Sequence, residues 1–320
     1  MRDATVADLH RLVLDESSFD LRGHSREQVV DAVEKFGDLL ADLRHRDQSI
    51  AVWSALYEVE CDTGLLLHDL LFDAERSPLP RDVRARLASA LTKLPAWDDT
   101  APADVPLDVE IDGGDPVFAP TIGYAVLAAA RRHGVACAVL PLARVCGQVK
   151  VATAAGTTEI HFFAEAAELT AFWRTTMVAE RITETEYFRR WALAFPSLVR
   201  HDSLSFSAFD GDFAALCAPV TTALSAINDQ FVTALADAKG QPHEVERVLR
   251  THGVVATRES VKTRGSPRHM AMRDVEHAGR IVRCEWHAKL EPHRNRIHFS
   301  LPLEGGRVLI GLFVEHLATA

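Results

Sequence analysis

Near the end of the chain, residues 281 to 290 and 294 to 301 alternate apolar and polar side chains with the period of two that a strand requires. In the first run Arg283, Glu285, His287 and Lys289 share one face, and Val282, Cys284, Trp286, Ala288 and Leu290 share the other. In the second run Arg294, Arg296, His298 and Ser300 oppose Ile297, Phe299 and Leu301. The last such segment, residues 308 to 314, is apolar on both faces. It therefore predicts a central strand, entered through the turn Gly305-Gly306.

Before Gly253 the period is mostly helical. Ser25 and Gln28 have capping-box spacing ahead of the stripe Val29, Val33, Phe36, Leu40 and Leu43, which predicts a first helix. Strand-like residues follow at 49 to 58, and Pro80 opens a second helix carrying Val83, Leu87 and Leu91. Residues 121 to 132 predict a buried helix, 135 to 140 a short strand, and 149 to 151 with 160 to 163 a hairpin across Gly156. Helices follow at 166 to 181, after the Thr183/Glu186 capping box, along the stripe Leu216, Leu224, Ile227, Phe231 and Leu235, and from Pro242. The fold class expected is α+β: a mixed N-terminal region, then a C-terminal helical hairpin followed by an antiparallel β-meander. Four segments are expected: an α/β subdomain at 1–95, an acidic proline-dotted linker or loop at 96–116, a middle α/β subdomain at 117–208, and a helix pair with antiparallel sheet at 209–320.

Charge sharpens the picture at the C-terminal end. The chain carries a net charge of −10, yet residues 258 to 307 hold 11 Lys/Arg against 6 Asp/Glu, leaving the remainder strongly acidic. A basic segment on an acidic chain points to a polyanionic partner, because phosphate contacts are made by Arg and Lys. The same window holds 5 of the 15 histidines. Five scattered cysteines without a C-x-x-C pair suggest buried thiols in a reducing cytoplasm, not a disulfide framework or zinc module. The start, Met1 to Asp8, carries no leader-like apolar core, and no apolar stretch is long enough for a membrane span. Phosphate-binding glycine loops and the G-x-S-x-G elbow are absent, so nucleotide-cofactor and serine-hydrolase chemistry have no foothold.

A cationic face with two imidazoles and a carboxylate has the groups that cleave RNA through a 2′,3′-cyclic phosphate: a base, an acid and cations for the phosphorane. Glu285 or His287 is the candidate base and His298 the acid. Arg283, Lys289, Arg296, Arg294 and Arg268 are the candidate phosphate-binding groups, the last on a basic loop between Ser260 and Arg273. Neither metal nor cofactor is expected, since the Arg and Lys residues around His287, His293, His298 and Glu285 repel a cation.

A helix pair followed by a basic meander and a final hairpin, with Arg296-Ile297-His298-Phe299 leading to Gly306-Arg307-Val308 and on to Glu315-His316-Leu317, resembles the core of RelE/HigB-type ribonuclease toxins. The resemblance covers residues 215 to 318 and implies a metal-independent endoribonuclease, toxin-like or defence-related, acting from the sheet face. The chain departs from that family in its large N-terminal region, in lacking a clear first strand before the helix pair, and in having no Tyr near the face. As a whole it also resembles bacterial proteins with no assigned chemistry. The partner expected is RNA, with DNA as the other nucleic acid, no membrane, and a protein partner for the acidic N-terminal region. The competing function class is a non-enzymatic interaction protein whose basic sheet docks a nucleic acid or an acidic surface.

Overall fold

The computed structural model describes residues 9–99, 104–143, 145–154 and 156–318; the Met1–Asp8 stretch read for a leader lies outside them. The chain divides into two compact units, Met1–Phe172 and Trp173–Ala320. This differs from the expected segmentation. The break falls inside a helix, in a stretch without the proline or glycine punctuation that marks a boundary in sequence.

The first unit is built on a seven-stranded mixed sheet. Its elements are β1 (Leu12–Leu14), α1 (Arg26–His45), β2 (Ile50–Ala51), β3 (Glu60–Asp62), β4 (Leu65–Leu66), α2 (Leu67–Phe72), α3 (Arg81–Leu91), β5 (Asp108–Ile111), β6 (Val117–Phe118), α4 (Pro120–Ala130), β7 (Ala136–Ala138), β8 (Gly147–Thr153) and β9 (Gly156–Phe163). The strand order is β2-β1-β7-β9-β8-β5-β6, parallel as far as β9 and antiparallel beyond it, with β3 and β4 forming a separate pair. The Ser25 capping box starts α1 as expected, with Ser25 N donating to Gln28 Oε1 at 2.8 Å and Gln28 N to Ser25 Oγ at 3.3 Å. The stretch 96–116, expected as a linker or loop, contributes a strand to the sheet. Trp97 is buried against Tyr124, and β5 is an internal strand of the sheet whose acidic residues Asp108 and Glu110 face solvent on either side of buried Val109. Strand-like residues 49 to 58 supply only the two residues of β2 before a short 3₁₀ turn.

Directly after β1, Asp15 and Glu16 are both buried. Asp15 caps the following turn by accepting from Ser17 N and Oγ at 2.9 and 2.7 Å. Glu16 Oε1 accepts from Thr121 N at 3.0 Å, capping α4, which has no local cap of its own. Burial pushes Asp15 up to about 6. Burial and then the Asp15 charge push Glu16 up to about 8.

The second unit contains α5 (Leu169–Ala179, reaching in from the first), α6 (Glu184–Arg189), α7 (Trp191–Ala194), β10 (Leu198–Arg200), α8 (Phe213–Asp237), α9 (Pro242–Thr251), β11 (Val255–Arg258), α10 (Val261–Arg264), α11 (Pro267–Ala271), β12 (Asp274–His277), β13 (Arg280–Arg283), β14 (Trp286–Lys289), β15 (Arg296–Pro302) and β16 (Val308–Val314). As the α+β reading expects, the helix pair α8–α9 precedes an antiparallel run, β11-β14-β15-β16, to which β10 adds in parallel at the β16 edge. One face of this sheet lies under α8: Phe231 meets Trp286 at 5.4 Å and Phe299 at 4.9 Å between ring centroids, and Ile297 is fully buried beside them.

The alternating run 281 to 290 is not one strand. Ala278 and Gly279, both at positive φ, turn β12 back into β13 as a separate hairpin, and Cys284-Glu285 carry the chain from there into β14. This hairpin packs Val275 and Cys284 against Leu309 on the sheet face away from α8. Gly311, where the β15–β16 register shifts, makes that packing possible: a Cβ there would lie 2.3 Å from Cys284 Sγ.

The acidic pair in the first unit sets a pH dependence. A carboxyl whose folded pKa is raised contributes stability below its unfolded value near 4 and loses it as pH rises through the folded value. Glu16→Gln is therefore expected to raise the unfolding midpoint at pH 9, by a free energy on the order of 1–3 kcal/mol, and to change it little at pH 5, as thermal melts at the two pH values will register.

Candidate functional site

On the face turned away from α8, strand register sets the imidazoles in line. Thr257, His287, His298 and Leu312 are successive cross-strand partners on β11, β14, β15 and β16, and Lys289 with Arg296 form the next row. The His287 and His298 rings lie 5.2 Å apart. Of the residues expected to share this face, these four do.

The others lie elsewhere. Arg283 is on β13 and pairs with Asp274 at 2.7 and 2.9 Å. Glu285 lies in the link between β13 and β14, where it binds Arg258 at 2.9 Å. Arg294 sits on the β14–β15 turn, held by Asp210 and by Glu291 at 2.6 Å. Arg268 is exposed on α11; the expected basic loop is the short helices α10 and α11. Splitting the 281 to 290 strand removed Arg283 and Glu285 from the face, because parity does not carry across the break between two sheets.

The carboxylate that meets the imidazoles is Glu259, at the end of β11. Its Oε1 lies 3.3 Å from His287 Nδ1 and 3.9 Å from His298 Nδ1, and accepts from Arg273 Nε at 2.7 Å. Glu259, Arg273, His287 and His298 are all buried, Arg273 and His298 at 0% exposure. Arg273 Nη1 donates to His269 O at 2.7 Å and to Ala318 O at 3.2 Å, and Asn295 N donates to Glu315 O at 2.8 Å, so the final segment is stitched beside the cluster with exposed His316 between those two bonds. Glu259 and Arg273 were in view in the sequence, but they stand on segments flanking α10 and α11, and neither lies in an alternating run.

Electrostatics fix the charge states. Burial alone would raise the Glu259 carboxyl, but His287 and Arg273 outweigh it and hold the group at about 2. Burial, then the neighbouring His287 and Arg273, push His298 down to about 3, so it is neutral at pH 7. Being enclosed as well, it is unsuited to the general-acid role expected of it. Arg296 is lowered by burial and by Arg273, and His316 by burial and by the neighbouring Arg296, His287 and Arg273.

Several polar atoms here lack partners. Among the described residues, Arg273 Nη2, Arg296 Nε, His287 Nδ1 and both ring nitrogens of His298 are buried without a hydrogen-bonding partner. His287 Nε2 has one, Thr257 Oγ1 at 3.2 Å. A neutral imidazole carries one N–H and one lone pair, so unpaired guanidinium donors and unpaired imidazole nitrogens surround one carboxylate, and an orphaned buried polar atom of either kind is costly.

Comparison of the chain with protein-family models, with curated proteins and with solved structures finds no match, so the site is read from its own geometry. Among the described residues no helix is long and apolar enough to cross a membrane.

Removing Glu259 strands a buried guanidinium. Glu259→Ala is expected to destabilise the second unit by about 3–5 kcal/mol, measured by denaturant unfolding. The wild type is expected to lose stability as pH falls from about 6.5 toward 3, since His298 takes up its proton only on unfolding, and further between about 4.5 and 2 as Glu259 is neutralised.

Proposed function

We propose that the C-terminal unit binds RNA phosphodiesters at the mouth of the Glu259 cluster and cleaves them through a 2′,3′-cyclic phosphate. The observation that carries this reading is half-buried Arg296, whose Nε has no hydrogen-bonding partner among the described residues, beside its cross-strand partner Lys289. A phosphate oxygen supplies the acceptor that this Nε lacks, and a guanidinium matches its geometry better than an ammonium does.

His316 takes the role of base. It is the exposed imidazole next to the cluster, and its lowered pKa keeps it neutral at pH 7. It accepts the proton of the 2′-hydroxyl as that oxygen attacks phosphorus. The bond from phosphorus to the 5′-oxygen breaks, and the leaving oxygen takes a proton from solvent or from the imidazolium just formed. Arg296 and Lys289 bind the charge that develops on the phosphorane. Buried Glu259 fixes Arg273 in place. The likeness to RelE/HigB-type toxins belongs to this proposal.

With the full-length protein and a short single-stranded RNA, binding is expected to weaken steeply as salt rises. Arg296→Ala is expected to weaken binding by about tenfold or more. His316→Ala is expected to slow cleavage by about 10²–10⁴-fold with binding nearly unchanged. RNA bound without being cut in any condition would make the sheet a docking surface, and neither binding nor cutting at low salt would end the reading.

A further inference from the structure

We propose that Glu259, His287 and His298 together hold one divalent transition-metal ion of the zinc or manganese class. Their ligand atoms come from three adjacent segments, the end of β11, β14 and β15, and lie within 4.8 Å of one another. Two carboxylate-to-imidazole distances are 3.3 and 3.9 Å. Ligands about 2.1 Å from a tetrahedral ion stand roughly 3.4 Å apart, so the first pair is already at that spacing and the second needs to close by about half an ångström.

Burial supplies the second argument. His298 is fully enclosed and neither of its ring nitrogens makes a hydrogen bond of ordinary geometry among the described residues; His287 Nδ1, 3.3 Å from the same carboxylate oxygen, makes none either. A metal ion accounts for lone pairs that face a carboxylate and meet no donor.

The surrounding groups have the form of an outer shell. Ligating imidazoles and carboxylates are themselves held by hydrogen bonds that fix their orientation. Thr257 Oγ1 holds His287 Nε2 at 3.2 Å, which leaves Nδ1 for the ion, and Arg273 Nε holds Glu259 Oε1 at 2.7 Å. Arg273 is the objection as well, for it brings a positive charge close to the proposed cation. A carboxylate has lone pairs for both, and the negative charge of Glu259 itself lies against Arg273 at 2.7 Å and offsets the repulsion. The reading accordingly departs from the metal-free chemistry expected of the sequence: the ion supplies a Lewis acid to a phosphate oxygen. That role rests on the phosphodiester proposal; the binding of the ion does not.

The test uses the full-length protein freed of metal with EDTA, then titrated with Zn²⁺ alone, without RNA, by calorimetry. One equivalent is expected to bind at the cluster, with His298→Ala and His287→Gln each weakening it by tenfold or more. Co²⁺ on the wild type is expected to give the intense visible bands of a low-coordinate N/O site, a readout that needs no variant. No bound equivalent, affinity unchanged in both variants, or a weak octahedral Co²⁺ spectrum would each overturn the proposal. Zn²⁺ bound as expected by a protein that neither binds nor cuts RNA would leave this site standing and remove the RNA reading.

Discussion

The ion pair between Glu259 and Arg273 is the constraint on which the second unit depends. Both partners are buried, and neither charge would be tolerable there without the other. Arg273 ties the residue before β12 to α11 and to the end of the chain, and Glu259 ties the end of β11 to the imidazoles of β14 and β15. Three strands and the covering hairpin are thus gathered around one carboxylate oxygen. Such pairs contribute little net stability compared with an apolar core.

The same sheet separates two tasks by parity. Trp286, Ala288, Ile297 and Phe299 point to α8 and form the apolar core; His287, Lys289, Arg296 and His298 point the other way. A register slip of one residue would exchange the two sets, so the aromatic packing of Phe231 against Trp286 and Phe299 also aligns the candidate site. Gly311 serves the second face, since its missing side chain lets Cys284 and Val275 close over the sheet.

Much of this was legible from residue pattern alone. Alternation identified β14 and β15, their buried aromatic face and the His287/His298 juxtaposition, and the α8 stripe identified what covers them. Three features were not legible, each for a physical reason. β1 is three buried residues with no alternation to reveal it, yet it lies inside the parallel part of the first sheet. The Cys284-Glu285 link breaks a run whose alternation continues through the break, so Arg283 and Glu285 were assigned to the wrong face. Glu259 and Arg273 reach the cluster through long-range pairing across α10 and α11, which local periodicity does not encode. Burial was the other missing quantity: an alternating polar face reads as solvent-exposed, whereas the hairpin and the final segment enclose His287 and His298.

The central claim is that the leftover donors of this cluster receive a phosphodiester. Side-chain ¹H–¹⁵N spectra of the arginines, recorded while the full-length protein is titrated with a 2′-O-methyl RNA that cannot be cleaved, address it directly. The account predicts saturable shifts at the Arg273 and Arg296 guanidinium resonances at a common affinity. Shifts confined to exposed arginines such as Arg268 and Arg280, with Arg273 and Arg296 unmoved at saturation, would contradict it.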